Sequence, residues 1–125
     1  MRILVVDDDP LFQNIIGDIL SSNFASISVS EAHDGAEALA EFRHHSPDLV
    51  FMDIQLPTMN GLDLTKQLKT IDPDVHIVIL TNHDNREYRE AASECGVDHF
   101  ISKASSIEKE IVEAITVGLE LKSLQ

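Results

Sequence analysis

The sequence has only one cysteine and no long apolar run. Because Cys95 has no second cysteine to pair with, an intramolecular disulfide is excluded and a reducing compartment such as the cytoplasm is expected. The chain does not open with a charged segment followed by an apolar one, as a secretory signal does, and no apolar stretch approaches the length of a membrane span. These absences predict a cytoplasmic protein that is not inserted in a membrane.

Basic residues are scarce as well. Lys and Arg number 9 whereas Asp and Glu number 22, which gives a formal net charge of −13. Proteins that bind nucleic acid draw most of their affinity from Lys and Arg side chains that neutralise phosphates. The charge balance therefore predicts that this chain does not bind nucleic acid directly.

Short apolar runs alternate with amphipathic segments along the 125 residues, which are enough for one domain with a buried core. The predicted strands cover roughly residues 2–7, 26–30, 48–53, 75–81 and 98–102. The predicted helices begin near residues 10, 34, 62, 84 and 107, with Ser105 or Ser106 as the cap of the last one. Five β-α units of similar length predict a single-domain α/β protein over residues 1–125, with a doubly wound, flavodoxin-like (βα)5 fold and a five-stranded parallel sheet of order 2-1-3-4-5.

Chemical groups follow four of these predicted strands. Asp7 and Asp8 come after the first strand, Asp53 ends the third, Thr81 ends the fourth and Lys103 follows the fifth. Because the carboxyl ends of parallel strands meet at one edge of the sheet, where ligands bind in this class of fold, we expect these groups to lie together. Carboxylates, a hydroxyl and an ammonium at one edge predict a site for a divalent cation and a phosphoryl group.

Clustered carboxylates repel one another unless a cation lies between them. Mg²⁺, or Mn²⁺ in its place, is a hard cation that prefers oxygen ligands and keeps several waters. We predict Asp8 and Asp53 as direct ligands together with the backbone carbonyl of Gln55, and Asp7 as a ligand through water. Asp9 precedes a proline and is predicted mainly to cap the first helix.

A carboxylate in this position can also be a nucleophile that forms an acyl phosphate. Phosphoryl transfer depends mainly on positioning and on neutralising the phosphoryl oxygens. We expect the cation to contact one oxygen, Lys103 a second, and the Thr81 hydroxyl with backbone amides after Asp53 a third. His83 and Gln55, each two residues beyond one of these positions, are expected at the pocket rim, where they would restrict a hydrolytic water.

The chain resembles the receiver domain of two-component response regulators. The matching segments are ILVVDDD at residues 3–9, VFMDIQLPTMNG at 50–61, LT at 80–81 and FISK at 100–103. The resemblance implies that Asp53 is the phosphoacceptor, that Asp7 and Asp8 form the acidic metal pocket and that Lys103 contacts the phosphate. It also implies a switch pair in which the Thr81 hydroxyl moves toward the phosphate and the ring of Phe100 turns inward.

The resemblance further implies a signalling domain that catalyses only its own phosphotransfer and autodephosphorylation. A sensor histidine kinase or a histidine phosphotransfer protein would supply the phosphoryl group. The face made by the fourth helix, fifth strand and fifth helix would then control a downstream protein or an output domain, with a phosphorylation-dependent dimer as one form of output. A stand-alone receiver and the receiver of a longer regulator are both open, and the lack of a linker after residue 122 slightly favours the first.

Two positions depart from the family pattern. Ala104 follows the lysine where the family usually has proline, so we expect a differently shaped loop before the last helix. Leu56 replaces a common methionine, which conserves volume. As an alternative, Asp7 and Asp9 fit the signature of haloacid-dehalogenase-type phosphatases, with Asp7 as the nucleophile, but that interpretation leaves Asp53 unexplained.

Overall fold

The computed structural model describes residues 1–83, 85–104 and 107–123, with side chains described as far as residue 120. The strands are β1 (Arg2–Val6), β2 (Ser28–Ala32), β3 (Leu49–Met52), β4 (Gln55–Leu56), β5 (Met59–Asn60), β6 (His76–Thr81) and β7 (His99–Ser102). The helices are α1 (Pro10–Asn23), α2 (Gly35–His45), α3 (Gly61–Ile71), α4 (Arg86–Glu94) and α5 (Ile107–Ser123). Within the described ranges, no helix is long and apolar enough to cross a membrane.

Five of the strands form one parallel sheet in the order β2-β1-β3-β6-β7. The predicted doubly wound, flavodoxin-like fold and its strand order are therefore confirmed, with β6 and β7 as the predicted fourth and fifth strands. Every residue of β3 and β6 is buried. Helices that cover both faces of a parallel sheet explain why these strands are apolar runs without alternation.

The core has two layers, one on each face of the sheet, because successive strand residues point to opposite faces. Leu4 and Val6 of β1 belong to the layer that α2, α3 and α4 cover. Ile3 and Val5 belong to the layer that α1 and α5 cover. The carboxyl ends of β1, β3, β6 and β7 are thereby held in fixed relative positions at one edge.

A short hairpin after β3 was not predicted, since the sequence indicated only a turn-rich loop there. β4 and β5 pair antiparallel, and the turn between them places Thr58 in the left-handed region with φ 65°. Two-residue strands carry too little periodicity to be recognised from sequence. The hairpin brings the start of α3 back against the end of β3, where Gly61 N donates to Ile54 O at 2.7 Å.

Asx caps start four of the helices. The side chains of Asp9, Asp34, Asn60 and Asn85 each accept a backbone N–H of the first helical turn. The predicted start of the fourth helix at residue 84 and the predicted serine caps at residues 105 and 106 lie outside the described residues.

Helix α4 is held to the core by few contacts. Ala92 is its buried residue, and Tyr88 and Ala91 are half-buried. A helix with so little buried apolar surface opens at low free-energy cost.

Candidate functional site

The predicted site residues converge at the carboxyl edge of the sheet around a pocket of about 430 Å³. The pocket is lined by Asp7, Asp8, Asp9, Asp53, Gln55, Leu56, Pro57, Asn82, His83 and Lys103. Strand ends position most of these side chains, and the β4–β5 hairpin supplies one wall. His83 and Gln55 lie on the lining, as their spacing from Thr81 and Asp53 predicted.

A lysine bridges two carboxylates at the centre of the pocket. Lys103 Nζ lies 2.8 Å from Asp7 Oδ2 and 3.1 Å from Asp53 Oδ2. The side chains of Lys103, Asp7 and Asp53 are 7%, 3% and 11% exposed. Charges this well buried need partners, because removing a charge from water is costly unless an opposite charge or hydrogen bonds compensate.

Burial and charge change the protonation equilibria in opposite directions. Burial raises the pKa of Asp7 above its usual value, although the Lys103 ammonium and the hydrogen bond from the Asp9 amide counteract that rise. Burial also lowers the pKa of Lys103, but the hydrogen bond to Asp7 and the charges of Asp53 and Asp7 together outweigh it, so the pKa of Lys103 is raised. Lys103 is therefore a protonated ammonium. The positive charge near Asp7 does not fully offset the effect of burial on the pKa of Asp7.

The three carboxylates fit a hard divalent cation. Asp7, Asp8 and Asp53 each offer a carboxylate oxygen, and these oxygens lie within 4.8 Å of one another. Against the single ammonium of Lys103 they leave an excess of two negative charges, which one divalent cation neutralises. Asp8 is exposed, so a hydrated ion can reach it. An all-oxygen donor set of this kind suits Mg²⁺ or Mn²⁺.

The hairpin leaves the backbone carbonyl of Gln55 available for such an ion. Gly61 N donates to Ile54 O just before the hairpin. The next residue pair of the two antiparallel strands is Gln55 and Asn60. Because hydrogen-bonded and non-hydrogen-bonded pairs alternate along antiparallel strands, Gln55 occupies a non-hydrogen-bonded position. This placement is compatible with the predicted role of Gln55 as a carbonyl ligand.

Backbone amides hold the other oxygens of the two buried carboxylates. Asp9 N donates to Asp7 Oδ1 at 2.9 Å, and Gln55 N donates to Asp53 Oδ1 at 3.2 Å. Asp9 itself accepts from Leu11 N at 3.0 Å, so its predicted role as the cap of α1 is confirmed. The first turn of α1 is thus tied to the carboxylate of Asp7.

Two residues of α1 contact the site although the sequence did not predict a role for them there. Gln13 is buried, and its Nε2 donates to Asp7 O and to Ala32 O, both at 2.9 Å. The ring of Phe12, a residue for which no role was predicted, lies with its centroid 4.1 Å from Lys103 Nζ. Gln13 could have been recognised as buried from its spacing, because it lies on the same face of α1 as the core residues Ile16 and Leu20.

The two residues of the predicted switch pair lie behind the pocket and do not line it. Thr81 is fully buried at the end of β6, where its Oγ1 accepts from His83 N at 3.1 Å. Phe100 on the neighbouring strand β7 is half-buried, and Arg89 Cζ of α4 lies 4.7 Å from its ring centroid. The peptide bond after Lys103, where the family usually has proline, is trans.

Comparisons with known proteins agree with this geometry. The sequence model of the response regulator receiver domain matches residues 3–116. The chain is 37% identical over 118 residues to the chemotaxis protein CheY of Bacillus subtilis (strain 168), covering 94% of this chain and 97% of that protein. It is also 37% identical over 109 residues to the response regulator MprA of Mycobacterium avium (strain 104), where the match covers 87% of this chain and 47% of the relative.

A solved structure shares the whole fold. The CheY-like response regulator receiver domain protein of Methanospirillum hungatei JF-1 superposes with a TM-score of 0.88 at 26% identity, covering 98% of this chain and 95% of that chain. Fold, site and sequence point to the same family. The chain belongs to the response regulator receiver domain family of two-component signalling, which works as a signalling domain and not as a conventional enzyme.

Proposed function

We propose that this receiver domain is a phosphorylation-dependent switch that accepts a phosphoryl group on Asp53. The observation that carries the proposal is the bridge of Lys103 Nζ to Asp53 and Asp7, at 3.1 and 2.8 Å, beside the carboxylate of Asp8. Among these carboxylates we assign the nucleophile to Asp53, because it lies next to the ammonium of Lys103 and to the carboxylates of Asp7 and Asp8. Its neighbours can neutralise phosphoryl oxygens while its own oxygen attacks.

In the proposed reaction a carboxylate oxygen of Asp53 attacks the phosphorus of a phosphohistidine. A P–O bond to Asp53 forms, the P–N bond of the donor breaks, and the imidazole leaves with its electron pair and takes up a proton. Lys103 and the backbone amide of Gln55 then contact oxygens of the phosphoryl group. A bound Mg²⁺ or Mn²⁺, held by Asp8, Asp53 and the Gln55 carbonyl and through water by Asp7, would supply further charge neutralisation.

The change at Asp53 would reach the surface through Thr81 and Phe100. Among the described residues, Thr81 Oγ1 accepts a backbone hydrogen bond from His83 N and has no acceptor for its own hydrogen, so the hydroxyl can donate to a phosphoryl oxygen. Phe100 is half-buried beside α4, so an inward turn of the ring would change how α4 packs. The face formed by α4, β7 and α5 is the proposed output surface. His83 and Gln55 at the rim would limit the water that hydrolyses the acyl phosphate.

The proposed partners follow from this chemistry. A sensor histidine kinase or a histidine phosphotransfer protein would donate the phosphoryl group in the cytoplasm, and a downstream protein or an output domain would respond, in one form through a phosphorylation-dependent dimer. The chain spans nearly all of the Bacillus subtilis CheY but 47% of MprA. A stand-alone receiver over residues 1–125 and the receiver of a longer regulator are therefore both compatible with the relatives.

The test is phosphorylation by acetyl phosphate with Mg²⁺, in which the P–O bond of the donor breaks and acetate leaves. Intact-mass spectrometry should show one added phosphate that is absent from Asp53→Ala and absent when EDTA replaces Mg²⁺. Asp18→Ala, which changes an exposed aspartate of α1 away from the pocket, is the matched control and should be phosphorylated normally. Phosphate retained in Asp53→Ala would overturn the proposal.

The phosphatase alternative with Asp7 as nucleophile is not favoured. The match to the receiver family covers residues 3–116, and the buried Asp53, which that alternative leaves without a role, lines the pocket. The side chain of Asp7 is 3% exposed whereas that of Asp53 is 11% exposed, so a phosphoryl donor reaches Asp53 more readily. Loss of the added phosphate in Asp7→Ala together with its retention in Asp53→Ala would revive that alternative.

A further inference from the structure

The ammonium of Lys103 has a third neighbour besides its two carboxylates. The Phe12 ring centroid lies 4.1 Å from Nζ, well inside the distance at which a cation is attracted to the face of an aromatic ring. The lysine side chain is 7% exposed, so water screens this attraction little. A cation–π contact is stronger in such a desolvated setting than at the surface.

The ring is held in place by the same residues that hold Asp7. Asp9, which caps α1 by accepting from Leu11 N, donates its own N–H to Asp7 Oδ1 at 2.9 Å. Gln13, on the other side of Phe12 in the sequence, donates to Asp7 O at 2.9 Å. The first turn of α1 is therefore fixed to the end of β1, and the position of Phe12 over the lysine does not depend on the mobility of a loop.

An aromatic face holds an ammonium differently from an oxygen acceptor. A lysine ammonium has three N–H donors, and its orientation is fixed when each donor has its own acceptor. Lys103 has two carboxylate acceptors, and the ring attracts its charge without requiring one direction of hydrogen bonding. When Asp53 becomes an acyl phosphate, the ammonium must move from its oxygen to a phosphoryl oxygen. Contact with the ring can persist through that small displacement.

We propose that Phe12 is a positioning residue for Lys103, whose aromatic face keeps the ammonium desolvated and directed at the phosphoryl group that Asp53 accepts. This inference rests on the proposed function of Asp53. It assigns to the first turn of α1 a role in the chemistry of the pocket in addition to its role in the core.

The test replaces Phe12 by phenylalanines with one, two and three ring fluorines, which weaken the negative ring face with little change of shape. The rate of phosphorylation by acetyl phosphate at saturating Mg²⁺ should fall stepwise with each fluorine, and Phe12→Leu should lower it about three- to ten-fold. Phe12→Tyr, which retains an aromatic face, should restore most of the rate. The Lys103 Hε protons should lose their upfield ring-current shift in Phe12→Leu.

Phe24 provides the matched control. It closes α1 at the opposite end and packs against the same apolar layer as Phe12, so its fluorination changes the core without touching Lys103. The same fluorine series at position 24 should leave the rate unchanged. Equal rates across the Phe12 series with normal phosphorylation of the unsubstituted chain would overturn the role of Phe12 alone. Failure of the unsubstituted chain to take up phosphate would instead overturn the proposed function of Asp53.

Discussion

At the scale of single residues, the pocket concentrates negative charge around one lysine. Lys103 neutralises part of the charge of Asp7 and Asp53, and burial still raises the pKa of Asp7. Such an arrangement is unfavourable for folding and favourable for binding cations and phosphoryl groups. Functional sites commonly carry unfavourable interactions of this kind, which the rest of the structure offsets.

Lys103→Met should lower the free energy of unfolding by about 2 kcal/mol in EDTA, because two buried carboxylates lose their counterion. Mg²⁺ should restore part of the loss by neutralising the same carboxylates, while the yield of phosphorylated protein stays low. Urea unfolding with EDTA and with Mg²⁺, together with intact-mass spectrometry, measures these effects. Lys66→Met, which changes an exposed lysine of α3, is the control. Full phosphorylation of Lys103→Met would show that the ammonium is dispensable.

His76 should make the protein less stable in weak acid. Burial lowers its pKa below 6.5, and the nearby charge of Lys69 and the ring of His99 act in the same direction, whereas Asp98 opposes them. Because the folded chain disfavours the protonated ring, the unfolded chain binds more protons as the pH falls below about 6.5, and the free energy of unfolding decreases there. Urea unfolding between pH 5 and 8 should show this slope.

His76→Gln should remove that part of the pH dependence. His44→Gln, which changes an exposed histidine at the end of α2, should keep it. The Nε2 of His76 is buried and has no hydrogen-bond partner in the part of the chain that the structure describes, so adding a proton there is especially unfavourable. If His76→Gln has the same slope as the unsubstituted protein, other groups are responsible for the acid sensitivity.

At the scale of elements, the β4–β5 hairpin matters because it fixes the wall of the pocket next to Asp53. A Cβ atom on Gly61 would lie 2.2 Å from Asp53 O and 2.9 Å from Ile54 Cα. Both neighbours are backbone atoms and cannot move aside as a flexible side chain would. Glycine at this position is therefore a condition for bringing α3 against the backbone of Asp53.

Gly61→Ala should destabilise the protein by about 2 kcal/mol and slow phosphorylation, because the hairpin must shift away from Asp53. The control is Gly17→Ala in the middle of α1, where a Cβ atom meets nothing within 4 Å. That substitution should stabilise the protein by about 0.5–1 kcal/mol, since alanine is the better helix former. Thermal unfolding and the rate of phosphorylation give both comparisons. Wild-type stability of Gly61→Ala would contradict the close approach at Asp53.

At the scale of the whole molecule, the site and the proposed output face are joined by adjacent strands. β6 ends at Thr81 beside the pocket, and β7, its neighbour, carries Phe100 next to Arg89 of α4. α4 has a single buried residue, so its packing can change without disrupting the core. A phosphoryl group can shift such an equilibrium by its difference in affinity for the two states, typically about 1–3 kcal/mol.

Beryllofluoride with Mg²⁺, which mimics the phosphoryl group, should change NMR chemical shifts around Tyr88, Phe100 and the start of α5 as well as next to Asp53. The spectra of Asp53→Ala with the same additions are the control and should not change at the output face. Shifts confined to residues that touch Asp53 would mean that this receiver does not switch through α4, β7 and α5.

The sequence alone predicted the fold and the main charged groups of the pocket. Apolar runs that end in Asp7, Asp53, Thr81 and Lys103 indicated parallel strands, and parallel strands place their carboxyl ends at one edge whatever the details of packing. Right-handed crossovers restrict the strand orders of such a sheet, and 2-1-3-4-5 is a common order for doubly wound folds. The metal and phosphoryl roles of these residues stay predictions.

Only the tertiary structure decided which of these groups touch and what surrounds them. Lys103 bridges Asp7, which lies 96 positions away in the sequence, and Asp53, which lies 50 positions away. Its contact with Phe12 depends on how α1 packs on the sheet. The hairpin formed because Gly61 lets α3 approach the backbone of Asp53, a fit that no periodicity records. Sequence patterns report which face of an element is buried, whereas contacts between elements depend on packing at the scale of single atoms.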